Sequence, residues 1–179
     1  MVLKAGLFLL SYFLVTTQPP QGSNLEPIPD FLIQFLSSAN PDAIKFIFRC
    51  HPNDRGGVSY CNQRLEALPK SLYIIDDGKD NLYDKLLEST HHVTAYSSCC
   101  YEAEALGVPT LLFGADAKNI YADEIESGRF VWTSGKLDEF VNWIDRFSST
   151  GAGEDHDINP YIVSSLSHAS RILISNEYA

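Results

Sequence analysis

The sequence predicts one α/β domain, a parallel sheet of about six strands with helices on both faces, and three observations carry that expectation. Between residues 12 and 147, short runs rich in β-branched and aromatic residues alternate with longer stretches of helical period. Several of the short runs are almost continuously apolar, as strands buried on both faces must be. The chain has 179 residues, 45% apolar and 20% charged, which is enough for one real core and short for two. A single domain over 1–179 is expected, its core at 12–147, followed by a loop and helix over 148–179.

The first strand is expected at 12–17, where Tyr12-Phe13-Leu14-Val15-Thr16-Thr17 is rich in β-formers and stops at the pair Pro19-Pro20. An alternative stays open, because Lys4 followed by the apolar stretch 5–15 has the charge and length of a signal-peptide start. The residues after it make a poor small-residue cleavage site, and the stretch is short of the ~20 apolar residues that span a bilayer. Read as a strand, it implies a cytoplasmic protein. Further strands are expected at 45–49, 71–75, 92–96, 110–113 and 130–133. Helices are expected between them at 29–38, 61–67, 81–89, 100–106 and 117–126, with a last one at 136–147. The last has the clearest period, with Leu137, Phe140, Val141, Ile144 and Phe147 on one face. Residues 148–157, rich in Ser, Gly and acid, read as an exposed loop, and 160–174 as a closing helix.

A formal net charge of -10 repels polyanions, so nucleic acid is not an expected partner. Four cysteines, Cys50, Cys61, Cys99 and Cys100, are too few and too irregular for a disulfide framework or a CxxC zinc site, and read as reduced thiols packed as small hydrophobes. No metal is expected.

In a parallel sheet, ligands bind beyond the C-terminal ends of the strands. Four polar loops follow strands here: Thr17-Gln18-Pro19, Cys50-His51-Pro52-Asn53-Asp54, Asp76-Asp77-Gly78 and Ser97-Ser98. The most informative segment runs Tyr96-Ser97-Ser98-Cys99-Cys100-Tyr101-Glu102-Ala103-Glu104-Ala105-Leu106-Gly107-Val108-Pro109. Ser97 or Ser98 can cap the helix that starts there, leaving amides for a phosphate, and Glu102 one turn on lies within reach of a ribose hydroxyl. Gly107 ends the helix and Pro109 opens the fifth strand. As ordinary structure, the same residues are a cap, a stop and a strand start. Asp76-Asp77-Gly78 reads as a turn, and His91 and His92 enter the fourth strand at the wrong end for the site, as structural residues. Arg49 can pair with a carboxylate as readily as with a ligand.

This segment resembles the donor-binding domains of glycosyltransferases of the two-domain GT-B type, which carry Ser-Ser-x-x-x-Glu-Ala-x-x-x-Gly-x-Pro between the fourth and fifth strands; every specified position is met from Ser97 to Pro109. Phe46-Ile47-Phe48-Arg49-Cys50-His51-Pro52 is similar to the strand-then-His-Pro motif of bacterial sialyltransferases, Kdo transferases of capsule synthesis and CDP-glycerol-type transferases. The resemblance covers residues 12–147. It implies a Rossmann-like half of a GT-B fold that binds a CMP-, CDP- or UDP-linked sugar as substrate, with no separate cofactor, in surface polysaccharide synthesis. It assigns the donor phosphate to His51, Pro52, Ser97 and Ser98, with His51 also neutralising the leaving nucleotide, and brings Gln18 to the donor and Glu102 to the ribose. It further implies an N-terminal acceptor-binding domain or partner chain, and peripheral association with the inner face of a membrane. On this reading the isolated chain binds donor weakly and turns over little.

Two departures matter. The Glu-x7-Glu pair of many retaining enzymes is missing, since Thr94 stands eight residues before Glu102 and Thr110 eight after, so an inverting transferase is the expectation. There is also no P-loop and no GxGxxG after the first strand, which weighs against triphosphate hydrolysis and dinucleotide binding. Two alternatives remain at this stage: a non-hydrolysing nucleotide-sugar epimerase, which shares the fold and a Ser-x-x-x-x-Glu loop, and a non-catalytic interaction module.

Overall fold

The computed structural model describes residues 11–19 and 26–148. Six strands form one sheet in the order β3-β2-β1-β4-β5-β6: β1 (Ser11–Thr16), β2 (Ile44–Arg49), β3 (Tyr73–Asp76), β4 (His91–Thr94), β5 (Thr110–Phe113) and β6 (Val131–Thr133). Every pairing is parallel. The helices are α1 (Asp30–Leu36), α2 (Gly57–Arg64), α3 (Leu82–Leu87), α4 (Cys99–Ala105), α5 (Ala115–Ile120), α6 (Ala122–Glu126) and α7 (Leu137–Ser148).

Alternation along the strands divides the core. Phe13, Val15, Phe46, Phe48, Val93, Leu111 and Phe113 face one side, where they pack with Phe31 and Leu32 of α1, Cys61 of α2 and Phe140 and Trp143 of α7. Leu14 and Ile47 face the other, against Leu86 of α3 and Ala103 of α4, while Leu112 meets Ala117, Tyr121 and Phe130. Aromatic stacking concentrates on the first side, where the Phe13 ring lies 4.7 Å from Phe46 and 4.6 Å from His91. The expected fold class is therefore the observed one: a Rossmann-like sheet covered on both faces.

The differences from expectation are local. The helix expected at 61–67 begins at Gly57 instead, and its apolar anchor Cys61 sits in the middle. The expected helix 117–126 is two, α5 and α6, joined at Tyr121, whose φ of -110° and ψ of 32° interrupt the turn while its ring is drawn into the core. The third strand starts later than expected because Lys70–Leu72 forms a 3₁₀ turn. The expected helix at 160–174, like residues 1–10, lies outside the described residues. Among those described, no helix is long and apolar enough to cross a membrane.

The two histidines that open β4 are structural, as their position predicts. His92 is fully buried and joins three strands, its Nε2 lying 3.0 Å from Thr16 Oγ1 and its Nδ1 3.1 Å from Thr110 Oγ1. His91 stacks on Phe13 and meets Trp143 edge-on, with Nδ1 2.9 Å from Thr90 Oγ1 and no partner for Nε2. Burial disfavours the imidazolium, lowering His91 to about 4 and His92 to about 3. The unfolded chain takes up these protons near pH 6.5, so the stability they confer is full above that value and falls as the pH drops toward 4 and 3. Between pH 7 and pH 5 each should cost about 2 kcal/mol. Urea unfolding of wild type and His91→Phe at both pH values tests this: the variant should lose about 2 kcal/mol less on acidification, and equal losses would contradict it.

Candidate functional site

The sheet register sets the C-terminal ends of β1, β2 and β4 level with one another. Thr16 pairs with Arg49 on one side and with Thr94 on the other. Side-chain and backbone bonds then carry each chain out of the sheet along a fixed path. Thr94 Oγ1 donates to Thr16 O at 3.1 Å, Thr17 N–H donates to Arg49 O at 2.9 Å, and Cys50 N–H donates to Asp76 O at 2.8 Å.

Above these ends lies a cleft of about 390 Å³ lined by Gln18, Arg49, His51, Pro52, Leu82, Tyr96, Ser97, Ser98 and Cys99. Five of the six residues singled out in the sequence, Gln18, His51, Pro52, Ser97 and Ser98, thus share one concavity although they come from three different crossovers. Glu102, the sixth, is not among the lining residues. It is half-buried on α4, and its Oε2 is enclosed without a hydrogen-bond partner.

Local chemistry orients the lining. Asn53 N–H donates to His51 Nδ1 at 3.2 Å, which in the neutral ring leaves the proton on Nε2. His51 is therefore a donor at its far nitrogen. Of the two serines, Ser97 performs the capping: its Oγ accepts from Cys99 N–H at 3.3 Å and its carbonyl from Cys100 N–H at 3.1 Å. Ser98 makes no side-chain cap bond and is exposed. A buried Ser97 beside an exposed Ser98 gives the cleft one fixed hydroxyl and one adaptable one.

Arg49 is committed to the scaffold. Its Nη1 lies 2.5 Å from Asp76 Oδ2, and its Nη2 donates to Gly78 O at 2.9 Å and to Asp80 O at 2.5 Å. The guanidinium thereby ties the end of β2 to the turn after β3. Asp76 Oδ1 accepts from Gly78 N–H at 2.9 Å, as the turn reading of Asp76-Asp77-Gly78 requires. Gly78 has φ 81°, and a Cβ there would stand 2.2 Å from Cys50 O, so the turn packs against the root of the His51 loop with no room for a side chain. Leu82, Tyr96 and Cys99 complete the lining and were not singled out in the sequence. Asn81, whose side chain accepts from Tyr83 N–H at 3.0 Å, caps α3 and so places Leu82; that capping pattern is the one signal that could have found it.

A groove of about 760 Å³ lies beside the β3 edge, between Tyr12, Ile47, Ile74 and Lys85. It has an apolar floor and contains none of the residues predicted to carry chemistry. The smaller cleft is the candidate site because hydroxyls, an imidazole and an amide converge in it.

Fold and cleft together define the class: a Rossmann-like domain with its candidate site at the C-terminal margin of the sheet. No family model and no curated protein matches the sequence. Among solved structures, the chain is similar to the C-terminal CMP-Kdo-binding domain of WaaA from Acinetobacter baumannii, at 12% identity and TM-score 0.55, with 88% of this chain and 89% of that one covered. It is also similar to a UDP-N-acetylglucosamine 2-epimerase, at 12% identity and TM-score 0.50, with 83% of this chain covered but only 36% of the epimerase. At that identity the likeness is one of fold, and the expected Rossmann-like α/β architecture holds.

The scaffold around the cleft makes a sharp prediction. Asp76→Ala leaves Arg49 buried without its counter-charge and should destabilise the chain by about 3 to 5 kcal/mol in urea unfolding. Asp77→Ala, at an exposed carboxylate paired with Lys79, should leave the unfolding midpoint close to that of wild type. Similar losses for the two would show that the Arg49 clamp does not hold the turn.

Proposed function

We propose that this chain is the donor-nucleotide-binding domain of a nucleotide-sugar-dependent glycosyltransferase of surface polysaccharide synthesis. The observation that carries this reading is the convergence of Gln18, His51, Pro52, Ser97 and Ser98 on a single cleft at the end of the sheet where such folds take their ligands. An anion seated there would receive hydrogen bonds from His51 Nε2–H and the two serine hydroxyls, and these donors would offset charge growing on a departing nucleotide phosphate. The enclosed, unpartnered Oε2 of Glu102 supports the assignment of that residue to a ligand hydroxyl, since a carboxylate oxygen shielded from water is stabilised by a donor. The acceptor and its base belong, on this reading, to a second domain or partner chain.

The similarity to the epimerase favours one second reading, a nucleotide-sugar epimerase built on the same half-fold. Assaying sugar transfer and epimer formation in a protein that joins this chain to a second Rossmann unit separates the two.

Calorimetry with CMP, UMP, CDP and UDP tests the shared premise. At least one should bind, and His51→Ala and Ser97→Ala should each weaken it by about 10-fold or more, the scale of a hydrogen bond to a charged group. Glu102→Ala should weaken the same nucleotide while sparing inorganic phosphate. If none of the four nucleotides binds, the donor reading fails and a non-catalytic interaction module is favoured.

A further inference from the structure

We propose that Cys50 and Cys61 form a peroxide-oxidisable dithiol site that closes to a disulfide and staples the His51 loop to α2. The two sulfurs lie 3.7 Å apart, and both side chains are buried. A disulfide requires about 2.05 Å, so the sulfurs need to approach by about 1.7 Å, a distance that rotation of the two side chains and a small shift of α2 can supply. Cys50 is the less mobile partner. Its N–H is bonded to Asp76 O at 2.8 Å, its carbonyl is packed beneath Gly78, and its Cβ lies where a side chain on Gly57 would fall, at 3.1 Å. Cys61 rides on a helix of eight residues that has no side-chain cap bond at its N-terminus and is tied by Tyr60 and Arg64 to residues 26–30, so rotation of the Cys61 side chain supplies most of the approach.

The chemistry distinguishes this pair from the other cysteines. The Cys61 thiol hydrogen-bonds to Cys50 and holds Cys50 below the ordinary thiol range, which raises its share of reactive thiolate. Burial pushes Cys99 up and carries Cys100 to about 11, leaving both as poor nucleophiles. Burial of Cys50 excludes bulky oxidants, whereas hydrogen peroxide is little larger than water.

The steps balance. The Cys50 thiolate attacks one peroxide oxygen, the O–O bond breaks and hydroxide leaves, giving a sulfenic acid. Cys61 sulfur then attacks Cys50 sulfur; the S–O bond breaks, and the thiol proton of Cys61 leaves with the hydroxide as water. In sum, two thiols and one peroxide give one disulfide and two waters, the two electrons passing from sulfur to oxygen. The resulting covalent ring encloses the loop that carries His51 and Pro52, and the site stands whether or not the cleft takes a nucleotide.

The test treats the full chain with hydrogen peroxide. The intact mass should fall by that of two hydrogens, and trypsin without reductant should release the peptide 50–55 joined to 56–64, separable by dithiothreitol. In Cys61→Ser the resolving thiol is gone, so Cys50 should accumulate as a sulfenic acid that dimedone traps. Oxidation confined to Cys99 and Cys100, or Cys50 passing to its sulfinic acid in the wild-type chain with no link to Cys61, would overturn the proposal.

Discussion

The candidate site depends on one constraint, the parallel registration of β1 between β2 and β4. Because Thr16 is paired at once with Arg49 and Thr94, three strands distant in sequence end at the same height. The loops that leave them have nowhere to go but the same small volume. A slip of one residue in either pairing would turn Phe13 and Val15 away from their layer, at the cost of the aromatic stack with Phe46 and His91, so the core enforces the register that the cleft exploits.

Around that constraint the buried polar groups act as fasteners. His92 links β1, β4 and β5 through two threonine hydroxyls, and Arg49 links β2 to the turn after β3 through one carboxylate and two carbonyls. Each fastener satisfies groups that would otherwise be costly to bury. Both ring nitrogens of His92 and both terminal nitrogens of Arg49 are engaged in this way, whereas His51, held by one backbone amide, and the exposed Ser98 have spare capacity in the cleft. The same turn fixes Cys50, whose N–H is held by Asp76 O, and so sets one side of the close approach to Cys61.

Much of this was legible in the sequence. The six strands follow from runs such as Phe46-Ile47-Phe48 and Thr110-Leu111-Leu112-Phe113, because burial on both faces forces apolar residues at consecutive positions. The helix boundaries were less legible where tertiary packing overrides local pattern, as at Tyr121, whose burial splits one expected helix into two. The loops after β1, β2 and β4 stood out by composition, and the spacing from Ser97 to Pro109 marked the most specific of them.

What the sequence determined by itself was therefore the inventory: which segments are strands, which loops are polar, and which residue types those loops carry. Tertiary structure alone decided which of these meet. That Ser97 and not Ser98 caps α4, that Arg49 is consumed by Asp76, that Leu82 and Tyr96 wall the cleft, and that two cysteines eleven positions apart touch sulfur to sulfur are outcomes of packing and register. The reason is physical: periodicity and composition report the environment of one residue at a time, whereas contact between segments is fixed only when the sheet closes its ladders and the core fills.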